Sequence, residues 1–73
     1  MRTVIEVIGL SINGRPQQFE STIKVADLIR SLGLEGKRIA VERNGEIVPR
    51  SDFVAVELAD GDAIEIVGAV GGG

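Results

Sequence analysis

The chain has 73 residues, enough for one domain, and a net charge of −3 from eight Lys and Arg against eleven Asp and Glu. It contains no His, Cys, Trp or Tyr, which excludes thiol nucleophiles, Ser–His catalysis and His/Cys zinc sites built from its own residues. The cations are interleaved with acids rather than clustered, so a nucleic-acid role is disfavoured.

The elements read in order. "TVIEVIGLSI" is β-rich, with apolar residues on both faces, as in a central strand. Gly9 within it marks a bulge or the close approach of another backbone. Asn13–Gly14 predicts a type I′ hairpin turn, because both central residues need positive φ. "RPQQFE" is the return strand, and Pro16, which has no N–H, places it at an edge or starts it. "VADLIRSLGL" predicts the one helix. Val25, Leu28, Ile29 and Leu32 form a single apolar stripe, Gly33 ends the helix in the left-handed region, and Leu34 closes the cap. Asp27 and Arg30 sit where the helix dipole favours them.

"RIAVERNGEIV" is a second hairpin with Asn44–Gly45 at its turn. Pro49 ends it, "PRSDF" is a turn or a single 3₁₀ twist, and "VAVEL" reads as an extended return of unassigned pairing. "ADGD" is a turn before the last strand, "AIEIV", in which Ile64 and Ile66 share one face and Glu65 and Val67 the other. One helix and several strands make an α+β roll. Nine Val, nine Ile and five Leu supply its core, with Phe19 and Phe53 the only aromatics. No stretch approaches the ~18 apolar residues of a membrane span. Glu6 interrupts the first apolar run and no small-residue cleavage site follows, so a cytoplasmic protein without membrane contact is expected.

Candidate chemistry is sparse. Asp60 and Asp62 flank a glycine, but the spaced oxygens and closing Glu of a calcium loop are missing, and the stretch reads as a turn. Glu42, Glu46 and Asp52 form no better constellation. Gly71–Gly72–Gly73 are followed by no helix, so they are not a phosphate loop. Two readings of these glycines remain on composition. One is a frayed end. The other is a slender tail that threads a partner's channel, since glycine has no Cβ. Extended, Val67 to Gly73 reaches roughly 20 Å.

"RIAVERNGEIVPRSDF" and "LADGDAIEIVGAVGGG" resemble the sulfur carrier family of bacterial thiamine biosynthesis. "INGRPQQF" and "VADLIRSLGLEGKRIAV" are similar as well, so the resemblance runs from about Leu10 to Gly73. A diglycine end alone is shared by ubiquitin-like proteins and the molybdopterin-synthase small subunit. "NGEIVPRS" and "DGDAIEIV" with a terminal "GGG" are more specific. The molybdopterin carrier usually has proline before its tail, where this chain has Gly68–Ala69–Val70. Two features depart from the pattern. Residues Met1 to Gly9 are longer than usual, and Lys24 stands where Thr commonly precedes the helix, which predicts an N-cap shifted to Ser21 or Thr22, or lost.

The resemblance implies a β-grasp, or ubiquitin-like, fold. Its mixed sheet has four to five strands, with the first and last side by side at the centre and one main helix on one face. Residues 1–67 are then the domain and 68–73 a flexible tail. It further implies a protein cosubstrate, not an enzyme, that binds no cofactor itself. An adenylyltransferase using ATP and Mg²⁺ activates the Gly73 carboxylate. A persulfide donor, a cysteine desulfurase or rhodanese-type protein, supplies sulfur. Thiazole synthase accepts it from the Gly73 thiocarboxylate. Gly71 and Gly72 thread the tail, and Val67, Ala69 and Val70 dock the partner. The alternatives are a carrier for molybdopterin or another sulfur pathway, a ubiquitin-like modifier, or a plain interaction domain.

Overall fold

Both Asn-Gly pairs turn the chain as their chemistry requires. Asn13 and Asn44 have φ of 51° and 52°, followed by Gly14 and Gly45 at 82° and 86°. These are the left-handed conformations of a type I′ turn. In the computed structural model, which describes residues 7–68, the first turn joins β1 (Ile8–Ile12) to β2 (Arg15–Phe19) and the second joins β3 (Ile39–Arg43) to β4 (Glu46–Val48). A helix, α1 (Val25–Ser31), connects the hairpins, and β5 (Ala63–Gly68) closes the described chain.

The sheet order is β2-β1-β5-β3-β4. The first and last strands are parallel neighbours in the middle, and every other pairing is antiparallel. This mixed five-stranded sheet with one helix on one face is the β-grasp arrangement. Pro16 lies in an edge strand, where its missing N–H costs no ladder bond. The core is the aliphatic layer between sheet and helix: Leu10, Val41, Leu58 and Ile64 against Val25 and Leu28, all buried. Leu32, Leu34, Phe19 and Phe53 pack at its margin. Among the described residues, no helix is long and apolar enough to cross a membrane.

The helix ends where predicted. Gly33 has φ 75°; its N–H donates to Arg30 and that of Leu34 to Ile29, both at 3.0 Å. This is the Schellman pair. At the start the side-chain cap is lost, the second of the two expected outcomes. Lys24 itself is the N-cap, and neither Ser21 nor Thr22 replaces it. An ammonium has no acceptor, so the first N–H groups turn to backbone carbonyls: Val25 donates to Val56 at 3.0 Å and Ala26 to Phe53 at 2.8 Å. Asp27 reaches back to accept from the Lys24 N–H at 3.2 Å.

This is also where "VAVEL" goes. It is not a sheet strand. After the 3₁₀ turn Arg50–Asp52 it runs past the helix start, with one antiparallel bridge between Lys24 and Glu57 and a bond from the Leu58 N–H to Ile23. β1 also departs from the reading of apolar residues on both faces. Ile8, Leu10 and Ile12 are buried while Gly9 and Ser11 alternate between them. Gly9 causes no bulge, because the β1–β2 register is unbroken from Ile8↔Phe19 to Ile12↔Arg15. What approaches it is the loop before β5. Gly61 donates to the Gly9 carbonyl at 2.7 Å, and the Gly9 N–H donates to Asp60 at 2.6 Å.

The turn asparagines do more than turn. The β1–β5 pairing ends at Ile12↔Ile64, and the Asn13 side chain continues it by one rung. Its Oδ1 accepts from the Ile66 N–H at 2.7 Å, and its Nδ2 donates to the Ile66 carbonyl at 3.2 Å. Asn13→Gly should keep the turn, since glycine also accepts positive φ, but lose both bonds and about 1 kcal/mol of stability. Amide exchange checks this: the Ile66 N–H should exchange faster while the β1–β2 amides keep their relative protection.

Candidate functional site

The point of interest is the end of β5, because the tail assigned to the chemistry leaves from it. Ala69, Val70, Gly71, Gly72 and Gly73 lie outside the described residues, as does the stretch before Val7. Gly68, which the sequence reading puts in the tail, is the last residue of β5 and pairs with Ile39.

β5 is gripped along its length. At its start, Asp62 is only 7% exposed. Its Oδ2 accepts from Arg43 Nε and from the Ala59 N–H, each at 2.8 Å, and its Oδ1 accepts from Asn44 Nδ2 at 3.0 Å. Asn44 then accepts from the Ala63 N–H at 2.8 Å and donates its own N–H to the Ala63 carbonyl at 2.7 Å. Burial alone would raise the Asp62 pKa. The Ala59 N–H, the Asn44 amide and the Arg43 guanidinium outweigh it and hold the carboxyl below its ordinary value of 3.8. The "DGD" turn is thus a structural knot. Its carboxylates are occupied by donors of this chain, Asp60 by Gly9 and Asp62 by three groups.

The two faces of β5 differ. Ile64 and Ile66 point to the core. Val67 is 57% exposed and sits opposite Ala40 of β3, on the face away from the helix. Two residues back on the same face, Glu65 lies directly opposite Glu42, and Glu42 is in turn opposite Ile47, which is 68% exposed. The outer face near the tail's root is therefore apolar with an acidic pair. Sequence periodicity places Val67 on this face. It does not reveal the Asn13, Asn44 and Asp62 contacts, because apart from Ala59, three residues from Asp62, their side-chain partners are 18 to 53 residues away. The one signal was two asparagines at positive φ beside a strand end, which sequence alone does not connect to β5.

Asp62→Asn keeps the shape but removes the charge and one acceptor, so a loss of about 2 kcal/mol is expected at neutral pH. The depressed pKa also sets a sign. Its stabilisation is present above the unfolded value and lost as pH falls through the lower folded value. Denaturation midpoints of wild type and Asp62→Asn should therefore converge as pH drops from neutral to below about 3.8.

Comparison with known proteins matches residues 10–73 to the ThiS family. A sulfur carrier protein ThiS from Bacillus subtilis is 45% identical over 65 residues, covering 88% of this chain and 98% of that protein. A thiazole synthase from Paramagnetospirillum magneticum is 45% identical over 64 residues, again 88% of this chain but only 20% of the relative. The crystal structure of the thiamine biosynthesis protein ThiS from Geobacter metallireducens superposes with a TM-score of 0.79 at 33% identity, covering 90% of this chain and all of that one.

Proposed function

The chain belongs to the ThiS family, and from that premise we propose that it is a sulfur carrier of thiamine biosynthesis whose working group is the Gly73 carboxylate. The observation that carries this reading is the 45% identity to a named sulfur carrier over nearly the whole of both chains. The thiazole synthase whose sequence contains a stretch similar to this chain supports thiazole synthase as the acceptor.

The chemistry follows from what a carboxylate lacks. It is a poor electrophile, so an adenylyltransferase first joins it to the α-phosphate of ATP, with Mg²⁺ assisting, and pyrophosphate leaves. The terminal sulfur of a persulfide donor attacks the activated carbonyl and expels AMP, giving an acyl disulfide. A second thiol attacks the donor's sulfur, breaks the S–S bond and releases the Gly73 thiocarboxylate. That soft nucleophile is delivered to thiazole synthase. This chain supplies no catalytic group. It is a cosubstrate that presents an end.

Its own contribution is geometric. A strand clamped by Asn13, Asn44 and Asp62 gives the tail a fixed origin. Docking a tail costs conformational entropy, and a fixed origin reduces what must be ordered. The sheet through Gly68 acts as the platform and the terminal glycines Gly71 to Gly73 as the reach. Gly71 and Gly72 present no side chain to a narrow channel. Val67 anchors the partner on the outer face, where it is exposed and adjoins Ala40, and Ala69 and Val70 are assigned the same docking role.

Two substitutions separate reach from docking. Gly72→Val should abolish acyl-adenylate formation, read as ATP–pyrophosphate exchange with a matched adenylyltransferase, without moving the melting temperature. Val67→Ala should raise the carrier's KM severalfold and leave kcat within twofold. Unchanged exchange kinetics in both variants would argue for an interaction domain that ignores its tail.

A further inference from the structure

On the helix side of β5 lies a groove of about 1080 Å³. Apolar Ile39 and Ile66, the cations Arg15, Lys37 and Arg38, and Gly68 are among the residues that line it. Three of the chain's eight cations meet here, although the chain is acidic overall. Among the described residues lining the groove none is acidic, and none of the three cations forms an ion pair. The groove opens where the sheet stops covering β5. Asn13 supplies the last rung at Ile66, and among the described residues no backbone group pairs with β5 beyond it on that side.

We propose that this groove receives an extended acidic segment of the protein partner that takes the tail. The inference rests on the carrier reading above and adds a second contact to it, on the face opposite Val67. Charge complementarity identifies the occupant: three cations with no ion pair among the described residues, beside apolar Ile39 and Ile66, fit a segment with carboxylates along its sides and an apolar residue between them. A bare phosphate or nucleotide leaves these aliphatic residues unused. A net charge of −3 also works against capturing a free polyanion from solution. Position supports the choice. The groove is lined in part by Gly68, the last residue of β5, so any protein that engulfs the tail passes beside it. The contact steers the encounter and fixes the approach, and takes no part in the chemistry.

The test uses the full chain with its matched adenylyltransferase and, separately, thiazole synthase. The double variant Arg15→Glu/Arg38→Glu should raise the carrier's KM with at least one partner by about tenfold, with kcat within twofold. Lys24→Glu, a single charge reversal of the same kind at the far end of the helix, should leave KM unchanged. Circular dichroism and melting check the fold, and the milder Arg15→Gln/Arg38→Gln serves if the charge reversal unfolds; its KM should rise about threefold. An unchanged carrier KM with both partners overturns the proposal. So does a shift confined to the KM for ATP, which would make the groove a nucleotide site. If the wild-type chain yields no acyl-adenylate and no transferred sulfur, the carrier reading itself fails and this inference falls with it.

Discussion

A buried carboxylate must find donors, and in this protein Asp62 finds three, in two separate parts of the chain. Arg43 comes from the end of β3, Asn44 from the turn after it, and Ala59 from the loop before β5. The single charge ties the second hairpin to the start of the last strand. Asn44 extends the tie to Ala63, and Asn13 repeats it from the other hairpin at Ile66. A chain of this size buries only about 60% of its unfolded surface and has little apolar energy to spare. Polar contacts that fix one strand therefore weigh heavily here. They act on the strand that leads to the glycines.

The fold was legible wherever local geometry leaves few choices. Asn13–Gly14 and Asn44–Gly45 announce their turns because few other pairs accept two positive φ angles. Gly33 announces the helix end for the same reason, and the stripe Val25, Leu28, Ile29 announces the buried face. "VAVEL" was not legible. Its partners are the orphan N–H groups of the helix start and the Ile23 carbonyl, not a ladder, and no alternation marks that arrangement. What replaces the cap at Lys24 was not legible for a related reason. A cap without a side-chain acceptor looks like a lost or shifted cap until the carbonyls of Phe53 and Val56 are seen to supply it.

The candidate site divides along the same line. Val67 was placed correctly on the outer face by its period of two. Asp60 and Asp62 were read correctly as a turn, but their reach to Gly9 and Arg43 is a tertiary fact that sequence spacing does not contain. The surfaces flanking the end of β5 differ in sign. One carries the opposed Glu42 and Glu65 beside apolar Val67 and Ile47; the other is lined in part by Arg15, Lys37 and Arg38. Like charges set directly opposite one another on neighbouring strands are destabilising. The arrangement suits a molecule whose exposed faces meet other proteins while its interior holds one strand still.

The central claim is that sulfur travels on the Gly73 carboxyl. The most direct measurement is the mass of the tryptic peptide Ser51–Gly73 from protein made in a host with sulfur-transfer enzymes. That peptide contains no Met or Cys, so oxidation of Met1 does not obscure it and any sulfur found in it has been added. The account predicts a fraction of the peptide with sulfur in place of one terminal oxygen. An unmodified carboxylate, persisting after incubation with ATP, a matched adenylyltransferase and a persulfide donor, would contradict it.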